Sequence, residues 1–282
     1  MSAPGSLLER MAAASRQRAQ AARAIEPEAV LRARAFATDS PPAIALDSFS
    51  VIAELKLRSP ALGTLADAGF VIDAQLEAYA AGGAAAVSVL TEPDEFHGSL
   101  SHLEQAARAL KPAGIPVMRK DFLTEPYQIF EARAAGAGGV LVIAAMLTDA
   151  EMAALVEAAA ACELFVLLEA FDDDDVRRIG DVVAGAQPRA HAPLLVGVNS
   201  RNLHTLAVEF DRFAVLAPAL PHGPVAIAES GIDSAAQIQA VVDLGYGGAL
   251  VGSALMQTSS PSDALRTLIE AGRRRKGRAA CS

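Results

Sequence analysis

The sequence predicts an α/β chain folded as a (β/α)8 TIM barrel with an N-terminal helical extension, and three observations carry that prediction. Eight short β-prone runs recur with starts about 23 to 34 residues apart, the length of a strand plus a crossover helix. Alanine-rich stretches fill the intervals, each with an apolar stripe on one side and a polar one on the other. The turns Ala81-Gly82-Gly83, Gly136-Ala137-Gly138-Gly139 and Leu244-Gly245-Tyr246-Gly247-Gly248 follow helical stretches and precede strands, where glycine permits the positive φ that ends a helix. A chain of 282 residues holds one such barrel, typically about 250 residues, with short extensions. An open doubly wound sheet shares this spacing and is the structural alternative, since spacing alone does not prove closure.

In chain order, an arginine-rich helical segment that covers the barrel bottom or rim precedes a break at Pro41-Pro42. The strands follow at Val51-Leu57, Ala85-Leu90, Pro116-Arg119, Gly139-Ile143, Leu164-Glu169, Leu194-Asn199, Val225-Glu229 and Ala249-Gly252. Helices are expected at Ile72-Ala80, Leu100-Leu110, Pro126-Ala135, Ala150-Ala161 and Ser234-Leu244. No Gly-, Ser- or Pro-rich linker divides the chain, so it reads as a single domain: an extension over 1–47, a barrel core over 48–265, and a helix end with a basic tail over 266–282.

Composition narrows the function classes. A net charge of -9, from 24 basic and 33 acidic residues, works against an extended nucleic-acid surface, which needs clustered cations. The run Arg273-Arg274-Arg275-Lys276-Gly277-Arg278 reads as a solvated helix end whose charge complements the helix dipole, with no interleaved aromatics. Cys162 and Cys281 supply neither a disulfide framework nor a four-ligand zinc site, and His97, His102, His191, His204 and His222 form no metal-binding pattern. No metal is therefore expected. Glu and Arg interrupt the N-terminal segment throughout, unlike a signal peptide, and the apolar runs are too short to span a bilayer. A cytoplasmic protein is expected. The alanine-rich helices fit solvent or a neighbouring subunit equally and leave the oligomeric state open.

The strand C-termini of a barrel share one mouth, and polar residues crowd that end here. Glu54 and Lys56 close the first strand two residues apart, on one face, where buried charges must pair or meet a ligand. Arg119-Lys120-Asp121-Phe122 closes the third, and Glu169 ends the apolar fifth as a candidate base. Asp172-Asp173-Asp174-Asp175 behind it suits the acidic first turn of a helix better than a metal site. Asn199 and Arg201 close the sixth strand and Glu229 the seventh. Ser230-Gly231 and Gly252-Ser253 each lead into a helix. Such loops cradle phosphate, because glycine admits the anion to the backbone and the helix start supplies unpaired N–H groups. Neither G-x-x-x-x-G-K-S/T nor G-x-G-x-x-G occurs, which leaves ATP and NAD without support.

The sequence resembles the indole-3-glycerol phosphate synthase family. The likeness runs in order from about residue 48 to 257, through Ile52-Ala53-Glu54-Leu55-Lys56 with Ser59-Pro60, Ser88-Val89-Leu90-Thr91-Glu92 with Phe96-His97-Gly98-Ser99, and Pro116-Val117-Met118-Arg119-Lys120-Asp121-Phe122. It continues through Glu169, Gly197-Val198-Asn199-Ser200-Arg201-Asn202-Leu203, Ala228-Glu229-Ser230-Gly231-Ile232 and Val251-Gly252-Ser253-Ala254-Leu255. The resemblance implies ring closure of 1-(2-carboxyphenylamino)-1-deoxyribulose 5-phosphate with loss of carbon dioxide and water, and no cofactor. It implies Lys120 as general acid, Lys56 on the anthranilate carboxylate, Glu169 in the dehydration, and Glu54 and Asn199 holding hydroxyls and the catalytic network. Arg201 and Glu229 would complete the polar network around the substrate, Phe96 and Phe122 would line the aromatic part, and Ser59, Ser230, Gly231, Gly252 and Ser253 would hold phosphate. A lysine acid needs either a lowered pKa, which Lys56 and Arg119 would provide if close, or a carbonyl oxygen that turns basic in the transition state.

The chain departs from the family pattern at Ala61-Leu62-Gly63, which lacks an expected hydroxyl, at Ala170-Phe171, where Val-His is common, and at Ser200, where a second asparagine is common. These departures keep two alternatives open: a paralogue acting on a substituted anthranilate-derived sugar phosphate, and an inactive barrel serving as an assembly partner. A related isomerase would instead carry an Asp or Cys acid-base pair at the strand ends.

Overall fold

Side chains alternate along a strand, so each barrel strand sends one row inward and the other toward the surrounding helices. The computed structural model describes residues 6–66, 69–186, 192–203 and 205–279; His191, His204 and Cys281 lie outside the described residues. Its strands are β1 (Ser50–Leu55), β2 (Ala86–Leu90), β3 (Val117–Lys120), β4 (Gly139–Ile143), β5 (Phe165–Ala170), β6 (Leu194–Asn199), β7 (Val225–Glu229) and β8 (Gly248–Val251). All pair in parallel in the cyclic order β1-β8-β7-β6-β5-β4-β3-β2, and the β1–β2 pairing closes the barrel. Closure excludes the open doubly wound alternative.

The inward rows begin apolar, with Ile52, Met118, Leu141, Phe165, Leu167, Leu195, Ile227 and Leu250 packed into one interior cluster. Gly139 leaves the room that Phe165 fills, since a Cβ there would lie 2.3 Å from its ring. Toward the strand C-termini the same rows turn polar, at Glu54, Lys120, Glu169, Asn199 and Glu229. The outward rows, including Val51, Val87, Val117, Val142 and Leu168, pack against the helices in the larger cluster. Each fully buried Val or Leu there contributes about 1.5–3 kcal/mol.

Arg119 belongs to an outward row, so the closeness to Lys120 that would let it lower the lysine pKa is not met. Its guanidinium is buried and donates to Asp121 (3.1 Å), Glu131 (3.0 Å), the Gln128 carbonyl (2.9 Å) and the Thr91 hydroxyl (3.3 Å). β1 also ends two residues earlier than expected. Leu57 offers its carbonyl to the N–H groups of Leu65 and Ala66, and the chain folds into a short antiparallel pair, Arg58–Ser59 with Gly63–Thr64. Lys56 thus stands just beyond the strand.

Two helices precede the barrel, α1 (Leu7–Ile25) and α2 (Glu28–Ala37). Ser6 caps α1 in a reciprocal box with Glu9. Leu8, like Phe122, Met146 and Phe171, packs against the interior cluster, and α1 lies at the rim formed by the strand C-termini. The following helices are α3 (Ile72–Gly82), α4 (Leu100–Leu110), α5 (Pro126–Ala134), α6 (Asp149–Ala161), α7 (Asp173–Gly185), α8 (Arg212–Leu216), α9 (Ala235–Asp243), α10 (Ser253–Met256) and α11 (Pro261–Ala279). The basic end of α11 is engaged within the fold: Arg273 meets Asp47 (2.7 Å), Arg274 meets Glu270 (3.0 Å) and Arg275 meets Asp243 (2.6 Å). Among the described residues no helix is long and apolar enough to cross a membrane.

The acidic run after β5 opens α7 as expected. Asp172 caps the Asp175 N–H, Asp174 pairs with Arg177, and the buried Asp175 accepts the Phe171 N–H (3.0 Å). Burial pushes the Asp175 carboxyl up from 3.8 to about 6, against the lowering effect of the Phe171 hydrogen bond. Because the folded pKa lies above the unfolded one, stability is lost as pH rises from 3.8 to about 6 and the loss is complete at neutral pH. Asp175→Asn keeps an acceptor without the charge. It should stabilise the protein by about 2 kcal/mol at pH 7.5 and far less at pH 4, measured by denaturant unfolding.

Candidate active site

The register of the barrel sets the site. Asn199 pairs with Glu229 and Glu169 with Gly197 across neighbouring strands, while Lys120 pairs with Leu90 at the end of β3. Charged side chains that end apolar inward rows have no solvent beneath them and must pair with one another. They do: Lys120 Nζ lies 3.1 Å from Glu229 Oε2 and 3.3 Å from Glu169 Oε2, and Lys56 Nζ lies 2.7 Å from Glu54 Oε1. Asn199 donates from Nδ2 to Glu169 (3.2 Å) and accepts the Arg201 N–H at Oδ1 (3.0 Å). The Arg201 guanidinium donates to the Leu206 carbonyl at 2.7 Å.

These groups open into a cavity of about 430 Å3, within the roughly 300–1,000 Å3 usual for small-molecule sites. The residues that the family resemblance places in the site all line it: Glu54, Lys56, Lys120, Glu169, Asn199, Arg201, Glu229, Phe96, Phe122, Ser59, Ser230, Gly231, Gly252 and Ser253. Phe96 and Phe122 lie with ring centroids 6.2 Å apart, tilted by 41°. Ser230 and Gly231 are both left-handed (φ 67° and 69°), and a Cβ on Gly231 would lie 2.4 Å from Val208. That turn sits on the Ser200 hydroxyl, which donates to the Ser230 carbonyl at 3.0 Å. Gly252 precedes α10 and offers it no side-chain cap; its carbonyl accepts the N–H groups of Leu255 (2.9 Å) and Met256 (3.0 Å).

Two glycines leave space for two of the carboxylates. A Cβ on Gly252 would lie 2.2 Å from Glu54 Oε1, and one on Gly197 would lie 2.0 Å from Glu229 Oε1. Glu229 Oε1 is buried without a hydrogen-bond partner in the protein.

Burial alone would lower the pKa of Lys120, but the carboxylates of Glu169, Glu229 and Glu54 outweigh it and raise the ammonium above its ordinary range. Of the two conditions under which a lysine serves as acid, the lowered pKa is therefore not met, and the oxygen that turns basic in the transition state is the one left. Burial likewise works to raise Glu54, yet Lys56, Lys120 and Arg201 prevail and hold its carboxyl below the usual range. Glu229 goes the other way. Burial and the adjacent Glu169 raise it well above the carboxylate range despite Lys120.

Sequence reasoning missed the apolar part of the lining, namely Leu7, Leu8, Leu90, Leu141, Ile143, Phe171, Leu203, Leu206, Val208 and Leu250. Leu141, Ile143 and Leu250 follow from strand alternation. Leu7 and Leu8 reach the mouth only because α1 folds back over it.

A family model for indole-3-glycerol phosphate synthase matches residues 8–268. A protein of that name from Rhodococcus opacus (strain B4) is 40% identical over 237 residues, covering 84% of this chain and 83% of its own. Another of that name, from Micrococcus luteus, is 44% identical over 217 residues, covering 77% and 76%. Among solved structures, 3-hexulose-6-phosphate synthase from Salmonella typhimurium superposes with a TM-score of 0.60 at 12% identity, covering 80% of this chain and 99% of that one. At that identity the likeness concerns the fold alone.

Proposed function

Because this chain belongs to the indole-3-glycerol phosphate synthase family, we propose that its barrel mouth closes the indole ring of 1-(2-carboxyphenylamino)-1-deoxyribulose 5-phosphate, releasing carbon dioxide and water. The observation that carries this reading is Lys120, held between Glu169 and Glu229 at the floor of a cavity with apolar aromatic walls and a glycine-serine rim.

The roles follow from what each step needs. Attack of the carboxylate-bearing ring carbon on the ribulose carbonyl turns that oxygen into an alkoxide, and Lys120 supplies its proton there. An ammonium with a raised pKa suits an acceptor that becomes strongly basic only in the transition state. Lys56, positioned by Glu54, holds the anthranilate carboxylate until carbon dioxide leaves. Glu169, oriented by the Asn199 amide, takes the proton lost from the neighbouring sugar carbon as the new ring becomes aromatic and returns it to the departing hydroxyl, which leaves as water. Glu229, 3.1 Å from the Lys120 ammonium, holds it in place together with Glu169. Ser59, Ser230, Gly231, Gly252 and Ser253 receive the phosphate. A reducing, cytoplasmic setting suits the buried Cys162, whose thiol burial pushes up to about 11.

Turnover of the carboxyphenylamino substrate, followed by the fluorescence of the indole product, tests this reading. Formation of indole-3-glycerol phosphate is expected. Substrate binding without product would point to a ring-substituted substrate, and absence of both binding and turnover would favour the assembly-partner alternative.

A further inference from the structure

We propose that Arg18 of α1 is a positioning residue for the aryl-binding pair Phe96 and Phe122, acting through two buried carboxylates from neighbouring strand ends. The proposal rests on the reading of those two rings as the aromatic wall of the site.

Arg18 lies about halfway along α1. Its Nη2 is 3.0 Å from Asp121 Oδ1, just past β3, and its Nη1 is 3.7 Å from Glu92 Oε1, just past β2. Both carboxylates are buried, and each is committed to the backbone of one ring-bearing segment. Asp121 Oδ1 accepts the Phe122 N–H at 2.9 Å. Glu92 accepts the N–H groups of Asp94 (3.0 Å), Glu95 (2.7 Å) and Phe96 (3.1 Å). One guanidinium thus sits between the two anions that hold the two phenylalanines; Arg119 pairs with the other oxygen of Asp121 (3.1 Å), and Arg18 is the cation shared by Asp121 and Glu92. One arm of the planar fork hydrogen-bonds Asp121, while the other, buried and without a hydrogen-bond partner, faces Glu92 across 3.7 Å as a charge contact, so one rigid group spans both anions; a lysine offers only one point of charge.

Docking of α1 does not depend on this contact alone. Gln128 donates to the Ser15 hydroxyl at 2.8 Å, and Arg23 meets Glu125 at 2.7 Å. Removal of the Arg18 guanidinium therefore isolates the clasp from the helix that bears it.

The test compares two probes by titration calorimetry: the substrate with its ketone reduced to an alcohol, which cannot cyclise, and ribulose 5-phosphate, which lacks the aryl group. Arg18→Met should weaken the aryl-bearing probe about tenfold and leave ribulose 5-phosphate unchanged, and Arg18→Lys should recover only part of the loss. Equal weakening of both probes would indicate general destabilisation and overturn the proposal, as would unchanged binding of the aryl-bearing probe. Phe122→Ala separates the two levels of the argument. If it weakens the aryl-bearing probe while Arg18→Met does not, the positioning role alone fails; if it has no effect, the aromatic-wall reading fails and the proposal with it.

Discussion

Lys120→Ala should lower turnover of the carboxyphenylamino substrate by about 10²–10⁴-fold, the usual contribution of a positioned general acid, with a smaller change in KM. The argument rests on where charge develops. Substrate binds with a neutral carbonyl and reaches the transition state with an anionic oxygen, so a donor at that point is felt in kcat far more than in binding. The variant also leaves Glu169 and Glu229 facing each other without a cation. Glu229 is already displaced toward its neutral form by burial and Glu169, and its protonation limits the damage to the fold. A thermal melt near that of the parent protein would assign the loss to chemistry. Turnover close to normal would remove Lys120 from the mechanism.

The raised pKa of Lys120 adds a pH signature. Protonation is required for it to donate, and its neighbouring carboxylates keep it protonated beyond the ordinary lysine range. The parent enzyme should show no alkaline decline attributable to this group below about pH 10.4. A cation-depressed lysine would have shown one.

That contrast marks how far the sequence could be read. Lys120 and Glu169 were legible because each ends an apolar run of strand length, and alternation carries such a residue inward. The same alternation, applied strictly, sends Arg119 outward to Asp121 and Glu131; sequence adjacency to Lys120 concealed this. Strand spacing placed Gly231 and Gly252 just past the ends of their strands, while the close approach of Gly252 to Glu54 depends on β8 lying next to β1, which only closure brings about. Leu7, Leu8 and Phe171 carry no chemical signature, and the rim position of α1 is set by contacts such as Gln128 with Ser15, more than a hundred residues apart in sequence. The short α8 falls below the length at which apolar periodicity distinguishes a helix.

Gly252→Ala should have the second large effect, lowering kcat/KM by about a hundredfold. Backbone strain is not the cause, since φ at Gly252 is -119°, a value any residue adopts. Space is the cause. The added methyl would lie 2.2 Å from Glu54 Oε1 and 3.0 Å from its Cδ, so the carboxylate must swing away. Glu54 is the partner of Lys56 at 2.7 Å, and its displacement frees the ammonium assigned to the substrate carboxylate. The methyl also narrows the approach of phosphate to the backbone before α10. These two effects separate in a double-mutant cycle. If Gly252 acts mainly by leaving room for Glu54, the alanine substitution should cost little more in an Glu54→Ala background, where no carboxylate remains to be displaced. If the phosphate cradle dominates, the full loss should persist there, appear chiefly in KM, and be shared by inorganic phosphate acting as a competitive inhibitor.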